Sequence, residues 1–219
     1  MANRLRHLFS DADLEAIREA TAEAEAKTSG EIVPYLVERL DEHPEARAKG
    51  AVLGALAVSF AAGALHAFGD FWGGAGVTWI TLPTIAGVLL GWAIAGWAPL
   101  GRRLVDDEVM DRRVLLRAES AFLEEEVFRT RERTGILILL GLWEHRAVIL
   151  ADEGIHRSVP EGEWQALVDR LVSGIAAGRA TGALVEVIES CGELLERYDV
   201  RRRPDDEDEL SDQPRLRES

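Results

Sequence analysis

The stretch that decides the fold is residues 51–97, AVLGALAVSFAAGALHAFGDFWGGAGVTWITLPTIAGVLLGWAIAGW. Residues 51–68 contain no Asp, Glu, Lys or Arg, and neither do residues 77–97. As helices these runs would reach about 27 and 31 Å, close to the roughly 30 Å of a bilayer's hydrocarbon core. The segment between them, residues 69–76 with the single acid Asp70, is a turn too short to hold a domain. The reading is an antiparallel transmembrane hairpin whose flanks emerge on one side. The alternative, two buried helices of a soluble protein, fits less well, because uncharged runs this long exceed ordinary core helices. Trp72, Trp79, Trp92 and Trp97 lie at or near the ends of the runs, where indoles favour the headgroup layer. His66 sits within a turn of one end and reads as an interface residue. Pro83 is tolerated in the first turns of the second helix.

Outward from the hairpin, Arg47 and Lys49 precede it and Arg102 and Arg103 follow it, while the turn carries no cation. The positive-inside rule then places both flanks, and both termini, in the cytoplasm and Asp70 outside. Gly50, Gly54, Gly87 and Gly91 recur at the four-residue spacing that lets membrane helices approach closely. That spacing is met equally by packing within the hairpin and by a homo-oligomer.

The net charge of −14 divides into −4 before the hairpin, −1 from Asp70 and −9 after it. A surface this acidic argues against nucleic acid, whose phosphates need a basic face. Cys191 is the single cysteine, which excludes an intrachain disulfide framework or a thiolate zinc cluster and fits a reducing compartment. The first nine residues are mixed and basic rather than an apolar leader, so the hairpin is the expected targeting signal to a bacterial inner membrane.

The remaining chain alternates helix and strand. Ser10 followed by Asp11 and Asp13 reads as a capped helix start, and Leu14, Ile17, Thr21 and Ala24 continue at helical spacing. Residues 31–38, EIVPYLVE, read as a strand in which Pro34 predicts an edge position or a bulge. Residues 104–128 read as one long helix ending in Glu124-Glu125-Glu126, taken as a solvated face. The continuous apolar run 135–140, GILILL, suits a strand covered on both faces. Residues 146–151, RAVILA, complete a β-hairpin with it. Two amphipathic helices follow, one opened by Pro160 with Trp164, Leu167, Leu171 and Ile175 inward, the other capped by Thr181 with Cys191 on its inner face. From Arg201 onward the composition reads as a surface tail. One strand before the hairpin cannot stand alone. The sequence therefore predicts a single α/β domain split by the insertion: residues 1–50 and 98–200 form the domain, 51–97 the transmembrane hairpin, and 201–219 an acidic tail.

These residues resemble the TPM domain family. Thr28-Ser29-Gly30-Glu31-Ile32 and Arg133-Thr134-Gly135-Ile136-Leu137-Ile138 look like two of its segments, and residues 144–155, EHRAVILADEGI, resemble its most recognisable one. Trp164, Gly182-Ala183-Leu184 and the closing Asp208-Glu209-Leu210-Ser211-Asp212 are similar to the membrane-hairpin branch of the bacterial family. The resemblance implies a small mixed-sheet α/β sandwich. Some members are described as acid phosphatases with an acidic metal site, others as accessory membrane proteins. This chain departs in lacking a leader, in carrying the hairpin inside the domain, and in having His145 and Ser211 where Arg and Pro are usual.

A local geometric argument gathers candidate site residues. If strand 31–38 runs parallel to 135–140, its start joins the end of the β-hairpin. Glu31, Asp152 and Glu153 would meet the hydroxyls of Ser29 and Thr134, an oxygen set suited to Ca²⁺ or Mg²⁺. Arg131 and Arg133 could hold a phosphate beside it. The simpler alternative makes Asp152-Glu153-Gly154 a turn and Glu31 a solvated strand start. Glu144 and Arg146, at the opposite end, read as a structural ion pair, and His156 as a surface residue. Two functions follow. The preferred one is an inner-membrane protein whose cytoplasmic domain binds another protein or supports a membrane complex. The other is a divalent-metal-dependent acid phosphatase.

Overall fold

A computed structural model of the chain describes residues 8–41, 43–68, 78–200 and 209–217. The expected turn at 69–76 with Asp70 and Trp72, and the charged run 201–208, lie outside the described residues. The chain divides into two compact units, one of residues 1–41 and 111–219, the other of residues 42–110. Among the described residues are eight α-helices and a four-stranded mixed sheet.

The discontinuous unit opens with α1 (Asp11–Glu25), which starts at a capping box. The Asp13 amide donates to Ser10 Oγ at 3.2 Å, and the Ser10 amide donates back to the Asp13 carboxylate at 2.8 Å. Strand β1 (Glu31–Val37) pairs in parallel with β2 (Gly135–Gly141), Glu31 opposite Gly135. Strand β3 (Arg146–Ala151) runs antiparallel to β2, and β4 (Arg215–Arg217) adds in parallel to the far side of β1. The sheet order is β3-β2-β1-β4.

Alternation along the strands assigns each residue to one of two layers. Ile32, Leu36, Ile136, Ile138 and Leu140 face a layer made with Ile17 and Ala24 of α1, Leu167 and Leu171 of α7 (Glu161–Ala176), and Leu184, Ile188 and Leu195 of α8 (Ala180–Arg197). Val33, Tyr35, Val37, Leu137 and Leu139 face Val114, Ala118 and Ala121 of α5 (Asp107–Glu124) and Val127 of the 3₁₀ turn Val127–Arg129. Both faces of β1 and β2 are covered, and every residue of each is buried. That is why the sequence of β2 is apolar without alternation.

Four sequence expectations need correction here. Strand β1 is central rather than an edge. Glu31 donates its amide to Thr134 O and Ile32 donates to Glu25 Oε1, so the amides of even-numbered residues point away from β2, toward the β4 edge. β4 pairs only from Tyr35 onward, so the missing donor of Pro34 falls on the stretch of that edge β4 leaves uncovered. The long helix 104–128 is broken. Val105 is extended, and the acidic Asp107 and Glu108 open a new helix. Of the three glutamates read as solvated, Glu124 and Glu126 are exposed, but Glu125 is little exposed and binds Arg215 at 3.1 Å and Arg217 at 2.9 Å. Residues 209–217 are accordingly not a free tail but the segment that ends as β4. A smaller change concerns α8, which begins at Ala180, so Thr181 lies in its first turn rather than at the cap.

The second unit contains α2 (Pro44–Phe68), α3 (Thr78–Ala95) and α4 (Ala98–Leu104). The first two run antiparallel. A Cβ on Gly54 would lie 2.1 Å from Gly87 O, one on Gly50 would lie 2.4 Å from Ala95 Cβ, and Ser59 Oγ meets Thr84 Oγ1 at 2.7 Å. The four glycines that left two explanations open are thus engaged with one another inside the hairpin. Helix α2 is long and apolar enough to cross a membrane, and none of the residues in its apolar stretch is fully buried. Helix α3 ends at Ala95, two residues before the end of the expected run 77–97, and residue 77 lies outside the described residues. Gly96 and Trp97 form a turn, and Pro99, which lacks an amide donor, opens the next helix.

Candidate functional site

The parallel register of β1 and β2 brings the expected site residues to one end of the sheet. Glu31 stands opposite Gly135, and the amide of Asp152 donates to Gly135 O at 2.9 Å, so the three form one row across three strands. Glu31 and Asp152 are both buried, at 5% and 6% exposure, on the α5 face. The geometric premise of the sequence argument therefore holds: these carboxylates and the hydroxyls of Ser29 and Thr134 share one sheet end.

Their oxygens, however, are engaged in closing the fold. The Glu31 carboxylate accepts the main-chain amides of Glu209 and Leu210, each at 3.3 Å, and so holds the segment leading to β4. Asp152 caps the short helix α6 (Glu153–His156), its Oδ1 accepting the Glu153 amide at 2.7 Å. Arg133 grips the same carboxylate, with Nη2 donating to Oδ1 at 3.0 Å and Nε lying 2.8 Å from Oδ2 as an ion-pair contact. Glu153 points to the surface and pairs with Arg157. Thr134 Oγ1 donates to Ser29 O at 2.6 Å, the Thr134 amide donates to Thr130 Oγ1 at 2.8 Å, and the Gly30 amide donates to Thr28 Oγ1 at 2.9 Å. The Arg131 amide donates to Glu209 Oε2 at 2.9 Å.

Gly135 explains what lies between the two carboxylates. A Cβ there would sit 2.1 Å from Val127 O, so the 3₁₀ turn rests directly on the middle of the row. Among the described residues no group of three His, Cys, Asp or Glu side chains is arranged to hold a metal ion.

At the other end of the sheet, Glu144 and Arg146 are both engaged in the fold. Glu144 is buried and accepts the Leu40 amide at 3.0 Å, closing β1 onto the β2–β3 turn. Arg146 pairs with Asp111 at 2.8 Å. Cys191 lies in the core of α8, where burial pushes its thiol up to about 12. His156 is exposed at the end of α6.

Sequence reasoning overlooked two features. One is the role of Glu31 as the clasp for residues 209–217, for which a three-residue strand leaves almost no periodic signal. The other is the outer edge of β3, which no described strand pairs and which the sequence shows only as half of a hairpin.

Comparison with known proteins gives a fold and no more. No family model matches the chain, and no curated protein matches it. The NMR structure of BA42 protein from the psychrophilic bacterium Bizionia argentinensis is similar at a TM-score of 0.57, covering 95% of this chain and 94% of that one at 19% identity. At that identity the likeness extends to the mixed α/β fold that the two chains share.

Proposed function

We propose that this chain is a membrane-held TPM-type module whose cytoplasmic α/β domain binds another protein or supports a membrane complex. The observation that carries the reading is the apolar surface of the inserted hairpin. Leu56, Phe60, Leu65, Leu82 and Leu89 are each more than half exposed, and Phe60 is 80% exposed. Contiguous apolar surface of this kind is rare in water and ordinary in lipid. Arg47 stacks on Trp92, its guanidinium carbon 4.8 Å from the ring centroid, a pairing suited to the interfacial layer at the cationic end of the hairpin. The TPM-like segments support the same reading through the order in which they occur. The phosphatase reading is the weaker one, since the oxygens it would use hold the backbone together.

The test is topological. Phe68→Cys, at the end of α2, should react with an impermeant maleimide in intact cells, whereas Arg217→Cys should react only after lysis. Native Cys191 gives no background, because a buried thiol held at about 12 supplies almost no thiolate. Labelling of Arg217→Cys in intact cells, or full release of the protein by alkaline carbonate, would sink the assignment.

A further inference from the structure

Resting on the protein-binding reading above, we propose that the outer edge of β3 is a docking site for an extended, cationic segment of a partner protein, which adds to the sheet as a fifth strand. Among the described residues no strand lies beside β3. The Asp152 amide bonds to Gly135 O, and the antiparallel register alternates from there. The main-chain groups of Leu150, Val148 and Arg146 therefore face β2, and those of Ala147, Ile149 and Ala151 face outward. Proteins protect such an edge with a lysine, a proline or a bulge. The sequence AVILA at 147–151 has none of these.

The edge forms the floor of a trough. Two adjoining grooves of about 590 and 490 Å³ both include Ala147 and Val148 of β3 and Gln165 and Val168 of α7. Together they extend along the whole strand, about 20 Å for six residues. Trp164 is part of the same wall, with its indole Nε1 buried and without an acceptor among the described residues.

The chemistry of the occupant follows from what the trough offers. The outward groups are main-chain donors and acceptors, which an extended backbone complements and a helix does not. The alternate side chains of that strand would meet Trp164 and Val168. The rim carries Asp111, Glu153, Glu161 and Asp169; Asp111 pairs with the rim's Arg146 and Glu153 with Arg157, so Glu161 and Asp169 supply the negative charge not matched by arginine among the described residues. A cationic strand is attracted to this rim. A second copy would bring the same acidic rim and a charge of −14 against it, which disfavours pairing between two β3 edges.

The test uses the full chain in a non-ionic detergent, with a fluorescent heptapeptide alternating Lys and Val as the probe. Anisotropy should show saturable binding. The same peptide N-methylated at alternate amides, and a Glu–Val version, should each bind at least about tenfold more weakly. Ile149→Pro removes an outward donor without touching the β2 ladder and should abolish binding. Should that variant misfold, Glu161→Lys combined with Asp169→Lys, two exposed helix positions, should weaken binding about tenfold at unchanged Tm. Absence of binding up to about 1 mM, a Kd equivalent to roughly −4 kcal/mol, would overturn the proposal. So would equal binding of the N-methylated peptide. A partner recovered from membranes whose retention ignores all three substitutions would refute the β3 site while leaving the protein-binding reading intact.

Discussion

The Glu31 carboxylate accepts the main-chain amide of Leu210 at 3.3 Å, joining positions 179 residues apart in sequence. It does the same for Glu209, so one buried side chain holds the segment that becomes β4. Glu31→Ala leaves two amides without their acceptor and should cost about 1.5–3 kcal/mol, the range for hydrogen bonds to a charged group. Glu31→Gln, whose amide oxygen still accepts, should cost less. Hydrogen exchange should accelerate selectively in residues 215–217. Unchanged protection there would show that the Arg215 and Arg217 pairs with Glu125 suffice on their own.

The contact of Gly54 with Gly87 makes a second prediction. Gly54→Val forces a side chain to within 2.1 Å of a backbone oxygen, whereas no atom lies within 4 Å of a Cβ added at Gly63. The first should weaken packing of α2 on α3 by about 1–3 kcal/mol, and Gly63→Val should be neutral. Cysteines replacing Ser59 and Thr84, whose hydroxyls meet at 2.7 Å, report this directly. Their oxidative crosslink should form in the Gly63→Val background and fail with Gly54→Val. Equal crosslinking in both would mean that the glycines do not set the approach.

Asp152 supplies a third. Its carboxylate accepts the Glu153 amide and is gripped by Arg133, and the 3₁₀ turn rests on Gly135 beside it. Melting curves in EDTA and in excess Ca²⁺ or Mg²⁺ should therefore coincide. Asp152→Ala should destabilise the fold by about 1–2 kcal/mol, mainly through the lost cap, with the half-exposed Arg133 adding little. A cation-dependent rise in Tm that Asp152→Asn abolishes would instead restore the metal site and favour the phosphatase reading.

Cys191 links stability to pH. Burial raises its pKa from 9.0 to about 12, so the folded chain keeps a proton that the unfolded chain loses. The benefit is complete below about pH 9 and is lost as pH rises toward 12, because there the unfolded state binds fewer protons. The slope approaches about 1.4 kcal/mol per pH unit at most. Cys191→Ala should flatten this alkaline slope in urea titrations at pH 9 to 11. An unaltered slope would assign the alkaline loss to other groups.

The apolar run 135–140 and the turn-bounded RAVILA were enough to place β2 and β3, because a strand buried on both faces must be apolar throughout. Ser10 and Asp13 likewise announce the start of α1, since a capping box depends only on neighbours in sequence. The uncharged runs announced the two helices α2 and α3 for the same local reason. That β1 joins the same sheet followed once it was seen to need a partner, whereas its parallel direction entered only as a condition and was supplied by the fold. What only the tertiary structure decided are matters of distance across the chain. Pro34 looks like an edge residue, yet β1 is central, because the strand that flanks it comes from residues 215–217 and leaves Pro34 just uncovered. Three consecutive glutamates look solvated, yet Glu125 is the anchor for two arginines that arrive with that strand. Glu31 and Asp152 look like metal ligands in sequence, and they do share a row. Which oxygens a carboxylate leaves available depends on the amides and guanidinium brought to it by folding. No local pattern encodes that: Glu31 meets Leu210, Asp152 meets Arg133, and the Val127 turn comes down on Gly135 between them.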